Sequence, residues 1–172
     1  MAVFYQVAGT QVALPDYART DLAFTSTQAL TSPSAGLNCT YSVMGKYIEV
    51  PLAVSFLLTT DATIADRTGL VVYHDASGAT IATLVAPTST AATASVSFTF
   101  IVGSGVSYGP VGGQYVVPLP VYALLPSQSL VFGAGNLQAT DQVSSVMLTT
   151  VKIPTGPALV APSVTALTPQ LV

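Results

Sequence analysis

The chain has 172 residues, enough for one domain with a substantial core. Hydrophobic residues make up 51% of it and charged residues only 6%, whereas an ordinary soluble domain has about 25% charged residues. The four scattered cations and the net charge of −3 exclude the basic patch that nucleic-acid binding needs. No apolar run reaches the length of a transmembrane helix, and the N-terminal segment lacks a secretory-signal pattern.

Serine and threonine supply most of the polarity. A surface built from their hydroxyl groups loses little on desolvation, because no ion has to give up its hydration shell. The composition therefore predicts a subunit that packs against neighbouring molecules. The alternative is a monomer that hydroxyl groups alone keep in solution.

Strand formers occupy the first half of the chain, and no segment predicts a helix longer than a turn or two. Segments 2–9 and 38–45 are predicted strands, and segment 21–27 is a weaker one. The long apolar segment 46–60 is typical of a strand that is buried in a sandwich.

The clearest local motif is a hairpin over residues 69–87. Two β-branched runs flank the sequence HDASGA, in which Asp75 can cap the turn and Gly78 can take a positive φ. Residues 92–103 then alternate between an apolar face, which includes Phe98 and Phe100, and a hydroxyl-bearing face. This alternation predicts a half-buried strand.

A glycine-rich loop over residues 103–113 leads into a strand-like segment that contains Pro118 and Pro120. Proline cannot donate to a β-ladder, so this segment is predicted at an edge, at a bulge or at a crossing between sheets. Because the two prolines are two residues apart, both missing donors fall on one side of the strand. The other side can still pair.

Residues 142–153 form the last alternating segment, in which Val143 and Ser145 share one face while Val146 and Leu148 share the other. With the elements above it makes eight to ten short strands separated by glycine, proline, serine and aspartate. This pattern predicts an all-β fold, a two-sheet antiparallel sandwich over residues 1–153.

The last segment, residues 154–172, has four prolines and no charge. Such spacing blocks both a helix and a central strand and favours an extended arm. We expect the arm to dock on a neighbouring molecule, although folding back over its own sandwich is the alternative. The residues assigned to this contact are Pro157, Leu159, Val160, Pro162, Val164, Leu167 and Leu171.

Few residues suggest a chemistry. His74 is the only histidine and Cys39 the only cysteine, so nucleophile–histidine pairs and multi-histidine metal sites lack members. We therefore predict no enzyme, no catalytic residue, no metal and no cofactor. Asp61 and Asp66 with Glu49 could in principle hold calcium, but a solvent-exposed ion pair between Asp66 and Arg67 is the better interpretation.

Surface recognition is the remaining possibility for individual side chains. Tyr108 and Tyr115, on the glycine-rich loop, are the candidate recognition residues, with Tyr41 and Tyr47 as alternatives. Each of these rings could instead be half-buried packing.

The second half of the chain resembles the single jelly-roll proteins that tailed bacteriophages carry on their virions. The resemblance covers residues 69–153 and rests on the hairpin VVYHDASGATI, on the turn Leu125-Pro126-Ser127 with the short strand that follows it, and on the last alternating strand. It consists of pattern rather than of invariant motif. It implies a head decoration, cement, head-fibre or collar protein, located in the virion after assembly in the host cytoplasm. No functional residue is carried over, because these proteins act through surfaces.

Two functions follow as expectations. The first is a virion subunit that forms homo-oligomers, such as trimers, and contacts neighbouring capsid or neck proteins through terminal arms, without nucleic-acid or membrane partners. The second is a receptor- or carbohydrate-binding module, a fibre tip or adhesin, that uses the loops at residues 103–113 and 133–142.

Overall fold

The computed structural model describes the backbone of residues 3–7, 10–14, 22–104, 108–111 and 113–156, and the side chains of residues 22–104 and 113–156. No α-helix occurs in these ranges. Each segment predicted as a strand overlaps an observed strand, whereas β2 was not predicted and β9 lies within the predicted glycine-rich loop. The strands are β1 (Val3–Val7), β2 (Thr10–Leu14), β3 (Phe24–Ala29), β4 (Cys39–Ser42), β5 (Tyr47–Thr59), β6 (Arg67–His74), β7 (Thr80–Thr90), β8 (Ser95–Val102), β9 (Tyr108–Val111), β10 (Gln114–Leu119), β11 (Ser129–Ala134) and β12 (Gln142–Pro154).

The strands form a two-sheet sandwich, which confirms the predicted all-β fold class. One sheet has six strands in the order β3-β12-β5-β8-β10-β9, and the other has four in the order β4-β11-β6-β7. Strands β1 and β2 pair with each other as a separate antiparallel hairpin. One pair departs from the predicted antiparallel arrangement. Strand β10 runs parallel to its neighbour β8. On its other side it pairs antiparallel with β9, which precedes it in sequence and lies at the edge of the sheet.

The predicted hairpin over residues 69–87 is confirmed as β6, a turn and β7. The Asp75 carboxylate accepts hydrogen bonds from the backbone N–H groups of Ser77 and Ala79, at 2.8 and 2.9 Å. Gly78 has a φ of 87°, a conformation that side chains disfavour. The local turn chemistry thus fixes this hairpin as the sequence indicated.

The main core lies between the two sheets. Phe56, Phe98 and Phe100 enter it from the six-stranded sheet, and Tyr73, Leu130 and Phe132 enter from the four-stranded sheet. Phe98 needs a glycine opposite it, because a Cβ atom on Gly69 of β6 would lie 2.4 Å from its ring. The predicted apolar face of segment 92–103 is therefore confirmed as a core face.

Two register shifts between β5 and β12 change which residues face this core. Near its start β12 has one extra residue opposite β5, and Ser145 there has a φ of 50°. The predicted alternation of this strand is therefore wrong at its beginning, because Val143 and Val146 are both buried in the main core. A bulge reverses the phase of a strand in this way.

The second shift places Leu52 of β5 as the extra residue opposite β12. Before it, Ile48 and Val50 join a second apolar cluster with Val151 and Ile153. After it, the β5 side chains belong to the main core. A single strand thereby contributes to two cores on opposite faces of its sheet.

Strand β10 explains the two prolines. The carbonyl of Gly113, the residue before β10, accepts a hydrogen bond from the Ser97 N–H of β8 at 2.9 Å. The backbone N–H and C=O groups of odd-numbered residues in β10 therefore point to β8, and the backbone nitrogen of Pro118 points away from β8. On that other side, pairing with β9 ends at Val116. The predicted unpaired side is therefore found only after Val116, because before it β10 pairs with β8 on one side and with β9 on the other, and Pro120 lies just beyond the strand.

The predicted boundary at residue 153 falls one residue before the end of β12. Thr155 also donates a backbone hydrogen bond to the Lys46 carbonyl at 2.9 Å. The seven residues assigned to the arm, from Pro157 to Leu171, lie outside the described residues.

Candidate functional surfaces

Three charged residues form a buried cluster at one end of the sandwich, and we call Asp61, Arg67 and Asp141 the Arg67 cluster. Arg67 and Asp141 are fully buried. Arg67 Nε donates to Asp141 Oδ2 at 2.7 Å and Arg67 Nη2 to Asp141 Oδ1 at 3.1 Å. Arg67 Nη2 also donates to Asp61. Charge-assisted, two-point bonds of this kind are the strong class of hydrogen bond.

Backbone groups complete the cluster and join loops that are far apart in sequence. Asp141 accepts from the N–H groups of Asp61 and Gln138, at 2.8 and 2.7 Å. Arg67 Nη1 donates to the Thr63 carbonyl. The Asp141 carbonyl accepts from Gly36 N–H at 2.8 Å. Three loops, at residues 34–37, 60–66 and 135–141, therefore share one buried centre.

The pKa values follow from this geometry. Burial alone would raise the pKa of Asp141, but the hydrogen bonds from Arg67, Gln138 and Asp61 outweigh it and hold the pKa below its usual range. Asp61 also has a lowered pKa, chiefly because the Thr140 hydroxyl donates to its carboxylate at 2.6 Å. Both carboxylates are therefore stabilised in their charged form.

This arrangement corrects the predicted solvent-exposed pair of Asp66 and Arg67. Successive side chains of a strand start point to opposite sides, so Arg67 enters the interior while Asp66 is exposed. The arrangement also separates the three carboxylates considered for calcium, since Glu49 lies in a different polar group. Within the part of the chain that the structure describes, no three His, Cys, Asp or Glu residues cluster as metal ligands would.

Glu49 is fully buried beside Lys152 and Tyr41. Lys152 Nζ lies 3.2 Å from Glu49 Oε1, and the Tyr41 hydroxyl donates to the same carboxylate at 2.8 Å. Partial burial alone would lower the pKa of Lys152, but Glu49 and Tyr41 outweigh it and raise that pKa. Lys152 and Glu49 are cross-strand partners in β12 and β5, which explains why they meet.

Outside the two polar groups, few of the described side chains carry charge. Among the side chains that the structure describes, the charged residues outside them are Lys46, Asp66 and Asp75. Lys46 and Asp66 are exposed, and Asp75 caps the hairpin turn. Exposed apolar side chains accompany this low charge, in particular Leu22, Phe24, Leu37, Met44, Ile64 and Val85.

The three candidate recognition tyrosines whose side chains the structure describes are all partly or fully buried. Tyr115 is only 5% exposed and stacks on Phe98, with ring centroids 5.1 Å apart, so the expectation of a surface ring at this residue is corrected. It belongs to β10, whose odd residues face the core, rather than to the preceding loop. Tyr108 begins β9, and its side chain lies outside the described side chains. The Tyr41 hydroxyl donates a hydrogen bond to Glu49, and the Tyr47 ring packs edge-to-face on Phe24.

The loop at residues 133–142, considered as a binding loop, uses its polar groups internally. Asn136 Nδ2 donates to the Asp66 carbonyl at 3.0 Å, and Thr140 and Asp141 belong to or contact the Arg67 cluster. Gln138 Nε2 donates to the Asn136 carbonyl at 3.0 Å. Part of the other proposed loop, residues 105–107 and 112, lies outside the described residues.

A shallow depression of about 270 Å³ lies on the six-stranded sheet. Hydroxyl and amide groups line it, from Ser55, Ser97, Thr99, Gln114 and Ser145. Ser145 reaches it because the bulge in β12 turns this residue outward. Sequence reasoning missed the depression, and the only signal for it was the run of serine and threonine on the outer face of β8.

His74 and Cys39 have structural surroundings. His74 Nδ1 is hydrogen-bonded to the Gly78 carbonyl at 2.8 Å in the hairpin turn. Cys39 is buried, and burial raises the pKa of its thiol, which disfavours the reactive thiolate.

Comparison of the chain with protein-family models, with curated proteins and with solved structures gives no match. In the described residues no helix is long and apolar enough to cross a membrane.

Proposed function

We propose that this chain is a non-enzymatic structural subunit of a virus particle of the tailed-phage kind, a decoration, cement, collar or head-fibre protein. It acts by forming homo-oligomers and by contacting neighbouring capsid or neck proteins. The observation that carries the proposal is the placement of charge. Most charged side chains of the described region are used inside the sandwich, and the outer surface of that region is mainly hydroxyl, amide and apolar, with Lys46 and Asp66 as its exposed charges.

The physical argument is one of desolvation. A monomer usually stays in solution through interspersed surface charge, whereas the centre of a protein–protein interface is depleted in charged residues. Arg67, Asp141 and Glu49 add no charge to the surface, because each of the three is fully buried. Such a surface can be covered by a neighbour without stripping water from ions.

The resemblance to jelly-roll proteins and the C-terminal arm belong to the same proposal. A two-sheet sandwich is compatible with the jelly-roll proteins that the sequence resembles, and the proline-rich segment after β12 supplies the arm. In this proposal the arm docks on a neighbour, because its uncharged, proline-rich sequence favours an extended segment whose apolar side chains need a surface that covers them.

A second candidate function is a carbohydrate- or receptor-binding module, and the depression on the six-stranded sheet favours it. Its hydroxyl and amide groups can exchange hydrogen bonds with a sugar. Against it, the described part of the depression has no charged side chain, and the loop at residues 133–142 has its polar groups bonded internally.

Light scattering coupled to size-exclusion chromatography separates the two candidates. We expect the full chain to be an oligomer. A chain that ends at Gly156 should form a smaller oligomer, or one that already dissociates at protein concentrations where the full chain stays associated, while its β-sheet circular dichroism is unchanged. A protein that stays monomeric in both forms and binds a glycan array would contradict the subunit proposal. Loss of folding on truncation would favour an arm that folds back on its own domain.

Copurification provides the direct test of location. The chain is expected to remain with intact particles through a density gradient, at a constant copy number per particle. Its absence from washed particles would refute the virion assignment.

A further inference from the structure

Strand β3 forms one outer edge of the six-stranded sheet. It pairs with β12 from Phe24 to Ala29 without a register shift. Leu30 N–H, just beyond the strand, donates to the Val146 carbonyl of the β12 side at 2.9 Å. Because strand residues alternate in direction, the N–H and C=O groups of Thr25, Thr27 and Ala29 point away from β12, and these three residues are exposed.

The other three edges of the sandwich sheets are each shortened or interrupted. Strands β4 and β9 have four residues each, and β9 contains Pro110 and a register shift. Strand β7 contains Pro87 and two register shifts. Short strands, proline and bulges are the devices that keep an edge from pairing with another chain. Of the four edge strands of these two sheets, β3 alone has none of them.

The sequence of β3 suits a strand of the same sequence. Its six residues, FTSTQA, carry no charge, so a second copy brings no like charge opposite. Leu22 and Phe24 are 52% and 46% exposed at its start. In an antiparallel pair they would lie beside the small or apolar residues at the end of the partner strand.

We propose that β3 is a homotypic interface, in which β3 of a second copy adds antiparallel to it about a two-fold axis at Thr27. Thr25 then faces Ala29 of the second copy, and about six inter-strand hydrogen bonds form through the outward groups. Such an isologous contact closes as a dimer, by the strand-addition mode of recognition. The inference rests on the proposed homo-oligomer and names one of its surfaces.

The test is a proline at the centre of the proposed contact. Thr27→Pro removes an N–H group that points outward and leaves the bonds to β12, which edge strands tolerate. Thr27→Val is the matched control, because it also removes the hydroxyl bond to Thr149 but keeps the N–H. Sedimentation velocity over a concentration series should show dimers for the wild type and for Thr27→Val. For Thr27→Pro the dissociation constant should rise at least about tenfold.

A second measurement guards against a proline variant that fails to fold. In a Cys39→Ala background, Thr27→Cys should be joined between copies by a short thiol cross-linker, whereas Thr83→Cys on the β7 edge should not. If Thr27→Cys does not cross-link, or if the folded Thr27→Pro protein keeps its dimer, the inference is overturned while an oligomer held by other surfaces survives. A wild-type monomer at every concentration overturns the inference and counts against the proposed subunit role as well.

Discussion

Replacing Asp141 with asparagine removes the charge at the centre of the Arg67 cluster and keeps the shape of the side chain. Each carboxylate oxygen accepts two bonds, Oδ1 from Arg67 Nη2 and Asp61 N–H, and Oδ2 from Arg67 Nε and Gln138 N–H. An amide has only one oxygen, so its NH₂ group must face two donors whichever way it is turned. Two hydrogen bonds are lost, one of them from a buried guanidinium.

The size of the effect follows from these bonds. A hydrogen bond to a charged group contributes about 1.5–3 kcal/mol, and breaking a buried ion pair by removing one partner costs about 3–5 kcal/mol. Arg67 and Asp141 are fully buried, but Asp61, whose side chain is 19% exposed, still shares the charge of Arg67. We therefore expect the lower end, a loss of about 3 kcal/mol in the free energy of unfolding.

Urea unfolding followed by circular dichroism measures this change, since a neutral denaturant leaves the ion pairs unscreened. In a chain of this length the corresponding fall in Tm is roughly 6–12 °C. Asp66→Asn is the matched control, because Asp66 is adjacent to Arg67 in sequence but exposed. It should change the free energy of unfolding by less than about 0.5 kcal/mol. If Asp66→Asn is as harmful as Asp141→Asn, or if Asp141→Asn has no effect, the cluster described above is wrong.

Three further predictions concern pH, packing and the second polar group. Folding lowers the pKa values of both carboxylates of the Arg67 cluster. The stability that these carboxylates give should therefore be complete above about pH 5 and lost as the pH falls below about 4. Tm measured against pH should show this fall, and Asp141→Asn should make the dependence of Tm on pH weaker. Gly69→Ala should lower Tm strongly because its Cβ meets the Phe98 ring, whereas Gly45→Ala, with open space around it, should not; equal Tm values would contradict the packing. Lys152→Met should lower the free energy of unfolding in urea by about 2–4 kcal/mol, because it leaves Glu49 buried without a cation. Adding Glu49→Gln should recover part of this loss. A double variant that is less stable than Lys152→Met alone would argue against the Lys152–Glu49 ion pair.

The sequence predicted well those elements that depend on neighbouring residues. The hairpin over residues 69–87 follows from Asp75 and Gly78 acting within one turn, and the core face of β8 follows from simple alternation. The prolines also indicated which side of β10 lacks donors, but the pairing of β9 with the first part of that side was not predicted, because it needs a strand within the glycine-rich loop.

Alternation failed where an extra residue enters a strand. Ile48, Val50 and Val54 are all even-numbered, yet the first two face the second cluster and the third faces the main core, because Leu52 is inserted between them. Pro51, next to Leu52, was a local signal for a bulge, because a proline inside a sheet strand is confined to edges and bulges, but which residue is extra depends on the register with β12. The same reason hid the outward turn of Ser145.

The partners of charged residues were predicted poorly because they were sought nearby. Arg67 was assigned to its neighbour Asp66, but its partner Asp141 is 74 residues away. A physical signal was present: an arginine at the start of a strand pointing inward needs a buried carboxylate. Choosing Asp141 among the available acids required the fold.

The position of β12 has a consequence for synthesis of the chain. It is the last of the described strands in sequence but lies between β3 and β5 inside the six-stranded sheet, and the loop that carries Asp141 directly precedes it. A nascent chain on the ribosome therefore leaves both neighbouring strands open and Arg67 without its main partner until β12 has emerged. Such late, long-range closure makes folding slow and keeps incomplete chains open to proteases and chaperones. Only a chain translated through Pro154 can close the sandwich. Prematurely terminated chains would therefore be degraded before they could accumulate beside complete chains.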